Sequence, residues 1–190
     1  MIGYQTAIKR DGAQIITLRD ILPEQPGLRV LFIAKTPTPV SVDAGHYFQG
    51  RQGTMFWNML KRFGLLNVPV GQFQDDYLLQ HGYGLTDIVK VPRSYGDEPR
   101  DREYREGQER IIRLIAVHRP RVTVFVYKLV LHQLLKHSHL SIQPTAYGFN
   151  PKLEARFGSK IFVFPMPGTP CNRAQAQATM KELCAELELA

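Results

Sequence analysis

Hydrophobic positions fall in short, dense runs separated by longer amphipathic stretches. Residues 28–34 are almost continuously apolar around Val30 and Ile33, the pattern of a strand buried on both faces. Leu85-Thr86-Asp87-Ile88-Val89 repeats the pattern and is halted by Pro92, and Ile161-Phe162-Val163-Phe164 is a further run. Val122-Thr123-Val124-Phe125-Val126, rich in β-branched residues, is the clearest strand of the set. The stretches between them have helical character. Residues 54–63 read as a helix with Thr54 as N-cap and Gly64 as stop. Asp75 or Asp76 suits the cap of a short helix ending near Gly82. Residues 99–118 carry Ile111, Ile112, Leu114, Ile115 and Val117 after a charged first half. Helices are also expected over 129–136 and 172–189.

Strands alternating with helices of this length predict an α/β fold, a three-layer α/β/α sandwich around a central, mostly parallel four-stranded sheet. Residues 1–190 are expected to form a single domain, with 1–27 as an N-terminal extension and lead-in loop. Ligands of such sheets sit at the carboxyl ends of the strands. Three loops rich in proline or glycine fall there, over residues 35–53, 90–97 and 165–173. The first runs through Gly45-His46-Tyr47-Phe48-Gln49-Gly50 and enters a helix at Gly53-Thr54-Met55-Phe56-Trp57. An aromatic, glycine-rich loop at the end of a buried strand suits a flat ring held beside a phosphate backbone.

Composition narrows the class. With 44% hydrophobic and 22% charged residues, a chain of this length buries about 70% of its unfolded surface in one core. No apolar run approaches the roughly 20 residues that cross a bilayer. The first residues lack the charged and apolar blocks of a signal peptide. A soluble, cytoplasmic protein of bacterial type is expected, without membrane association and as a monomer. Cys171 and Cys184 have neither zinc nor iron–sulfur spacing, and a disulfide between them is not expected in a reducing compartment. No phosphate-cradling glycine motif follows the first strand, which argues against a nucleotide cofactor. No metal and no cofactor are expected. His132, His137 and His139 read as surface histidines, and the arginines from Arg93 to Arg110, interleaved with acids, as a solvated helix face. The net charge of +7 and pI near 9.5 favour a polyanionic partner.

Four ordered pieces of the chain resemble the uracil-DNA glycosylase superfamily, most closely its mismatch-specific uracil/thymine branch. They are Ala34-Lys35-Thr36-Pro37-Thr38, then Gly45-His46-Tyr47-Phe48 through Gly53-Thr54-Met55-Phe56-Trp57, then Gly84-Leu85-Thr86-Asp87, and Met166-Pro167-Gly168-Thr169-Pro170-Cys171-Asn172-Arg173. The resemblance spans residues 28–187. It implies a metal-independent repair enzyme that everts a base from single- or double-stranded DNA into a pocket and hydrolyses its N-glycosidic bond.

Residue roles follow from that resemblance. Phe48, or else Tyr47, would stack on the everted ring, while Phe56 and Trp57 read as core. Lys35, Tyr47, Phe48 and Met166 form the expected base-binding set. Thr36 stands where active relatives keep an asparagine that orients the attacking water, and its hydroxyl is shorter and offers one donor where an amide offers two. Asp87, at the position that reads the pyrimidine edge, is the other catalytic candidate: ionised it would pin water and favour the sugar cation, protonated it would donate to a carbonyl. Its plain alternative is a satisfied strand-end residue. Lys90 and Arg93 are placed for phosphate contact. Pro167, Gly168, Thr169, Asn172 and Arg173 are expected to engage the strand, with Asn172 or Arg173 filling the gap left by the base. The alternative there is an ordinary helix start capped by Thr169 or Asn172. Two further readings stay open: a DNA-binding module that has lost its chemistry through Thr36, and an unrelated α/β enzyme on a free nucleoside or nucleotide.

Overall fold

In a computed structural model that describes residues 1–137 and 145–188, the chain forms the expected layers. The main sheet contains β3 (Val30–Ala34), β4 (Tyr83–Asp87), β5 (Val122–Phe125), β6 (Gly148–Phe149) and β7 (Lys160–Val163) in the order β4-β3-β5-β7-β6. Four strands are parallel, and β6 pairs antiparallel with β7. The sheet therefore has five strands rather than four. The fifth is two residues long, too short to leave a periodic signal.

Alternation along the strands assigns the two faces. Val30, Phe32 and Ala34 of β3, Leu85 of β4, Val122 and Val124 of β5 and Phe162 of β7 pack with Phe56, Trp57 and Leu60 of α2 (Arg51–Arg62) and with Met180, Leu183 and Leu187 of α6 (Arg173–Glu188). Leu31, Ile33, Phe125, Ile161 and Val163 face the other way. They meet Ile111 and Ile115 of α3 (Asp101–His118) and Val130, Leu131, Leu134 and Leu135 of α4 (Lys128–His137). Short helices α1 (Pro39–Ala44) and α5 (Glu154–Phe157) lie in the connections. No described helix is long and apolar enough to cross a membrane. His137, expected at the surface, has a side chain only 9% exposed, and the half-buried His132 hydrogen-bonds Thr145 at 2.6 Å; His139 lies outside the described residues.

The N-terminal stretch is more ordered than a lead-in loop. Strands β1 (Gln5–Arg10) and β2 (Ala13–Leu18) form a hairpin turned by Asp11-Gly12, both at positive φ. Such an Asp-Gly pair matches the twist of a two-residue hairpin turn. Beyond β2 the chain docks on β4, where Ile21 and Leu85 exchange two backbone hydrogen bonds of 2.9 Å. That bridge occupies part of the exposed edge of the sheet.

Candidate active site

Strands β3 and β4 end side by side, with Ala34 opposite Asp87. Their continuations stay joined: Ile88 N–H donates to the Ala34 carbonyl at 2.8 Å, Val89 N–H to Lys35 at 3.0 Å and Arg93 N–H to Pro37 at 3.0 Å. The Thr36 hydroxyl donates to the Val91 carbonyl. Its single donor is thereby engaged in stitching the two exits together. Lys35 reaches outward to Glu98 at 2.7 Å.

Asp87 is 1% exposed at the end of β4. Its Oδ2 has no hydrogen-bond partner within the protein, an uncommon condition for a buried carboxylate oxygen. The Lys90 ammonium stands 3.7 Å from that oxygen but makes its close contacts elsewhere, with Asp20 Oδ1 at 2.8 Å and the Tyr47 hydroxyl at 2.9 Å. Arg110, on α3, donates to Asp20 Oδ2 at 2.8 Å and to the Asp87 backbone carbonyl. Burial pushes the Asp87 carboxyl up to about 6; Lys90 and Arg110 pull it down and Asp20 adds to the rise. Asp20 behaves oppositely. Burial raises it, but Lys90 and Arg110 outweigh that and hold it below the usual carboxylate range.

The aromatic loop is fastened from below. Asp75 Oδ2 accepts the Tyr47 N–H at 2.7 Å while Oδ1 pairs with His46 Nδ1 at 2.9 Å. Trp57 Nε1 and Gln49 Nε2 both donate to the Tyr47 carbonyl. Tyr47 is 1% exposed, its hydroxyl donating to the Arg19 carbonyl at 3.0 Å. Phe48, the next residue, is only partly buried and sits at φ 58°, left-handed backbone that a bulky residue rarely adopts. It packs edge-on to Trp57 (centroids 5.5 Å) and tilted against Phe56 (4.7 Å). Helix α2 starts at Arg51, three positions before the expected start, so Thr54 lies inside the helix rather than capping it. Gly53 is required there, because a Cβ would lie 2.1 Å from the Phe48 carbonyl oxygen.

Tyr127 follows β5 and donates to Gln52 Oε1 at 3.1 Å; burial, then the Asp87 charge, pushes its hydroxyl up to about 12. Phe164, Pro165 and Met166 are buried at the end of β7, Met166 at 2% exposure. Pro167 and Gly168 are exposed, and Thr169 bonds back to the Met166 carbonyl at 2.7 Å. Asn172 caps α6, its Oδ1 accepting the Gln175 N–H at 2.8 Å, and Arg173 is exposed as the first helical residue.

Sequence reading and structure differ at specific places. Lys90 and Arg93 were expected on phosphate, yet both are committed to the protein's own carboxylates. Arg93 holds Glu103 at 2.7 Å and Asp97 at 3.2 Å. Tyr47 and Met166 are buried, and Tyr47's ring is overlaid by Lys90 at 5.5 Å. The Asn172 side chain is engaged by the Gln175 N–H, as a helix cap would be. Thr36, Asp87 and Lys35 share the β3–β4 exit, Phe48 stands on the neighbouring loop, and Asp87 and Tyr127 are close enough to feel each other's charge. A common cavity for Thr36, Phe48, Asp87 and Pro167 was also expected. Two open clefts of about 200 Å³, one beside β1 and α3 and one around residues 145–153, are lined by none of the four. Asp20, Arg110 and Tyr127 escaped the sequence reading: Asp20 lies in a stretch of mixed character, and Arg110 in a helix read as solvated. Among the described residues His46, Asp75 and Asp76 bring donor atoms within 4.8 Å of one another, but His46 and Asp75 are engaged in fastening the loop.

Residues 24–187 match the family model of the uracil DNA glycosylase superfamily. The chain belongs to the uracil DNA glycosylase superfamily. It is also 28% identical over 118 residues to a G/U mismatch-specific uracil DNA glycosylase of Schizosaccharomyces pombe, covering 61% of this chain and 35% of that protein. The chain thus spans about a third of that relative's length. Asp20 precedes the matched segment.

Proposed function

We propose that the chain is a DNA glycosylase hydrolysing the N-glycosidic bond of uracil, or another deaminated or mismatched base, by base flipping and without a metal. The observation that carries this reading is Asp87, a carboxyl group buried at the sheet's carboxyl edge with one oxygen unpartnered inside the protein. Such a group has a functional reading because structural carboxylates are normally satisfied. At neutral pH a carboxyl near 6 is mostly ionised. It can accept a proton from water and favour the cationic sugar that forms as the base departs. In the reaction the C1′–N bond breaks with its electron pair leaving on the base. Water oxygen bonds to C1′, and the proton released from that water passes by way of Asp87 to the departing base, so that the products are free base and an abasic site.

Phe48 supplies the stacking face in this reading, since Tyr47 is enclosed and bonded at both ends. Lys35, at the β3 exit, would favour a departing anionic base on leaving its pair with Glu98, and Met166 forms an apolar floor. The exposed turn Pro167-Gly168-Thr169 and Arg173 contact the strand. Asn172, holding the helix start, contributes the cap rather than a wedge.

The test is an oligonucleotide panel containing uracil, hypoxanthine, xanthine and G/T or G/U mismatches, in single and double strands, read by alkaline scission. Scission at one or more lesions, lost in Asp87→Asn, is expected; a panel without scission removes the catalytic reading. A second reading, a binding module without chemistry, is favoured by one observation: the Thr36 hydroxyl is donated to Val91 and so is not offered to water. Thr36→Asn separates the two. Scission appearing only in the variant favours the binder, and scission in both assigns the water to Asp87.

A further inference from the structure

The acid whose charge acts on Asp87 comes from outside the segment that matches the family. Residues 17–21 form a strap across the β4 exit. Thr17 Oγ1 donates to the Lys90 carbonyl, the Arg19 carbonyl accepts the Tyr47 hydroxyl, Asp20 takes Lys90, Arg110 and Thr86, and Ile21 pairs with Leu85. The strap therefore determines where the Lys90 ammonium rests. That ammonium has two carboxylates within reach, Asp20 at 2.8 Å and Asp87 at 3.7 Å. It is hydrogen-bonded to the first and not to the second.

We propose that Asp20 is a positioning residue for Asp87: by drawing the Lys90 ammonium to itself it keeps Asp87 Oδ2 out of a closed ion pair and free to take a hydrogen bond from water or base. A closed, contact-distance pair would neutralise the carboxylate and occupy the oxygen that has to receive a proton. With Asp20 in place the cation stays close enough to favour the ionised form without capturing it. Arg110 cannot substitute for Lys90, since its guanidinium is fixed between Asp20 Oδ2 and the Asp87 backbone carbonyl rather than the Asp87 side chain.

The groups facing Asp87 from every packed element are few: Lys90 on its own exit loop, Asp20 on the strap, Arg110 on α3, Tyr47 on the aromatic loop and Tyr127 after β5. Both tyrosines are held well into the protonated form by burial. Burial sets the main rise of Asp87 and the Tyr47 hydroxyl lowers it somewhat; the charges that act on it besides are one like charge and two cations. Loss of the Asp20 charge removes a repulsion and releases Lys90 toward Asp87; both changes act in the same direction.

The kinetic consequence rests on the glycosylase reading, whereas the electrostatic one does not, so two readouts are taken on the full chain. The first is a carbon-13 NMR titration of the Asp87 carboxyl, assigned by its disappearance in Asp87→Asn. The second is the pH dependence of single-turnover base release. Asp20→Asn is expected to lower the Asp87 midpoint by about one pH unit, and Lys90→Met to raise it by a similar amount. The acid limb of base release moves with the midpoint, giving Asp20→Asn about tenfold more of its plateau rate well below the wild-type midpoint. A role in structure alone would lower the rate at every pH and leave the limb in place. Unchanged titration in Asp20→Asn, or shifts of the same sign in both variants, overturns the proposal. Should Asp20→Asn fail to fold, a Lys90→Met titration that stays at the wild-type midpoint overturns it too. Opposite shifts without base release from any protein would uphold the positioning role while removing the glycosylase reading.

Discussion

The β3–β4 exit and the β7–α6 loop both flank the carboxyl edge of the sheet, yet they are built on opposite terms. At the first, Asp20 holds Lys90 and Arg110 around a buried Asp87, Thr36 is bonded to Val91, and one oxygen of the Asp87 carboxylate is left unsatisfied. At the second, Pro167, Gly168 and Arg173 are exposed, and the polar groups close locally, Thr169 onto Met166 and Asn172 onto its own helix. For the proposed glycosylase the comparison separates two tasks. Chemistry on one bond needs charges fixed before the substrate arrives, because preorganised groups stabilise a transition state without reorganising. Grip on a polymer needs accessible cations whose contacts are uniform and salt-sensitive.

The largest effect should come from the unsatisfied oxygen. Asp87→Asn keeps the shape and removes the proton acceptor. Base release is expected to fall by roughly 10²–10⁴-fold, the range for a positioned general base, while affinity for lesion DNA stays within a few fold. Single-turnover rates beside equilibrium binding check this. A variant that loses binding and rate together would erase the contrast between the two regions.

The same substitution should change stability with a definite pH dependence. The folded carboxyl titrates near 6, above the value of an unfolded chain near 4. Between these values the unfolded state has already released its proton and the folded state has not. Folding stability contributed by this group is therefore intact at low pH and declines as pH rises through that window. Replacing the carboxyl by an amide should leave stability near wild type at about pH 4 and raise it by on the order of 2–3 kcal/mol at about pH 8. Denaturant midpoints at the two pH values measure it, and an equal change at both would remove burial of charge as the cause.

Phe48 stands between the regions. Truncation to alanine should weaken binding of lesion DNA by about 1–3 kcal/mol, the stacking contribution of one base. Gly53→Ala should produce a similar loss without touching the ring, because the new methyl group collides with the Phe48 carbonyl. Equal affinity in all three proteins would transfer the stacking role elsewhere.

What the sequence made legible divides along the same line. Runs such as residues 28–34 announce buried parallel strands because both faces are apolar, and order along the chain follows from alternation with helices. The hairpin of β1 and β2 was missed, since its strands carry Lys9, Arg10 and Gln14 among half-buried positions and the turn pair Asp11-Gly12 was not read as a signal. Candidate chemistry at Asp87 was readable from its place at a strand end. Its environment was not: Asp20, Lys90 and Arg110 are brought together only by the strap and by the rotation of α3, and no local period records such pairing. The choice between Tyr47 and Phe48 was equally closed to pattern. Our preference for Phe48 rests on an Asp75 carboxylate that binds the Tyr47 N–H and on left-handed backbone one residue later.

The smallest effects belong to the exposed loop, and they discriminate best between cap and wedge. Arg173 has no acidic neighbour in the first turn of α6, so its charge adds to the positive end of the helix dipole, unfavourable in isolation and favourable toward a phosphate. Arg173→Ala should weaken binding to any sequence alike and reduce the slope of log affinity against log salt by about one, with unchanged base release at saturating protein. Asn172→Ala should instead leave the salt slope alone and cost about 1 kcal/mol of folding stability through the lost cap. If Asn172→Ala left stability intact and selectively slowed base eversion, the side chain would belong to the strand contact and not to the helix. The two regions would then share the work of eversion instead of dividing it.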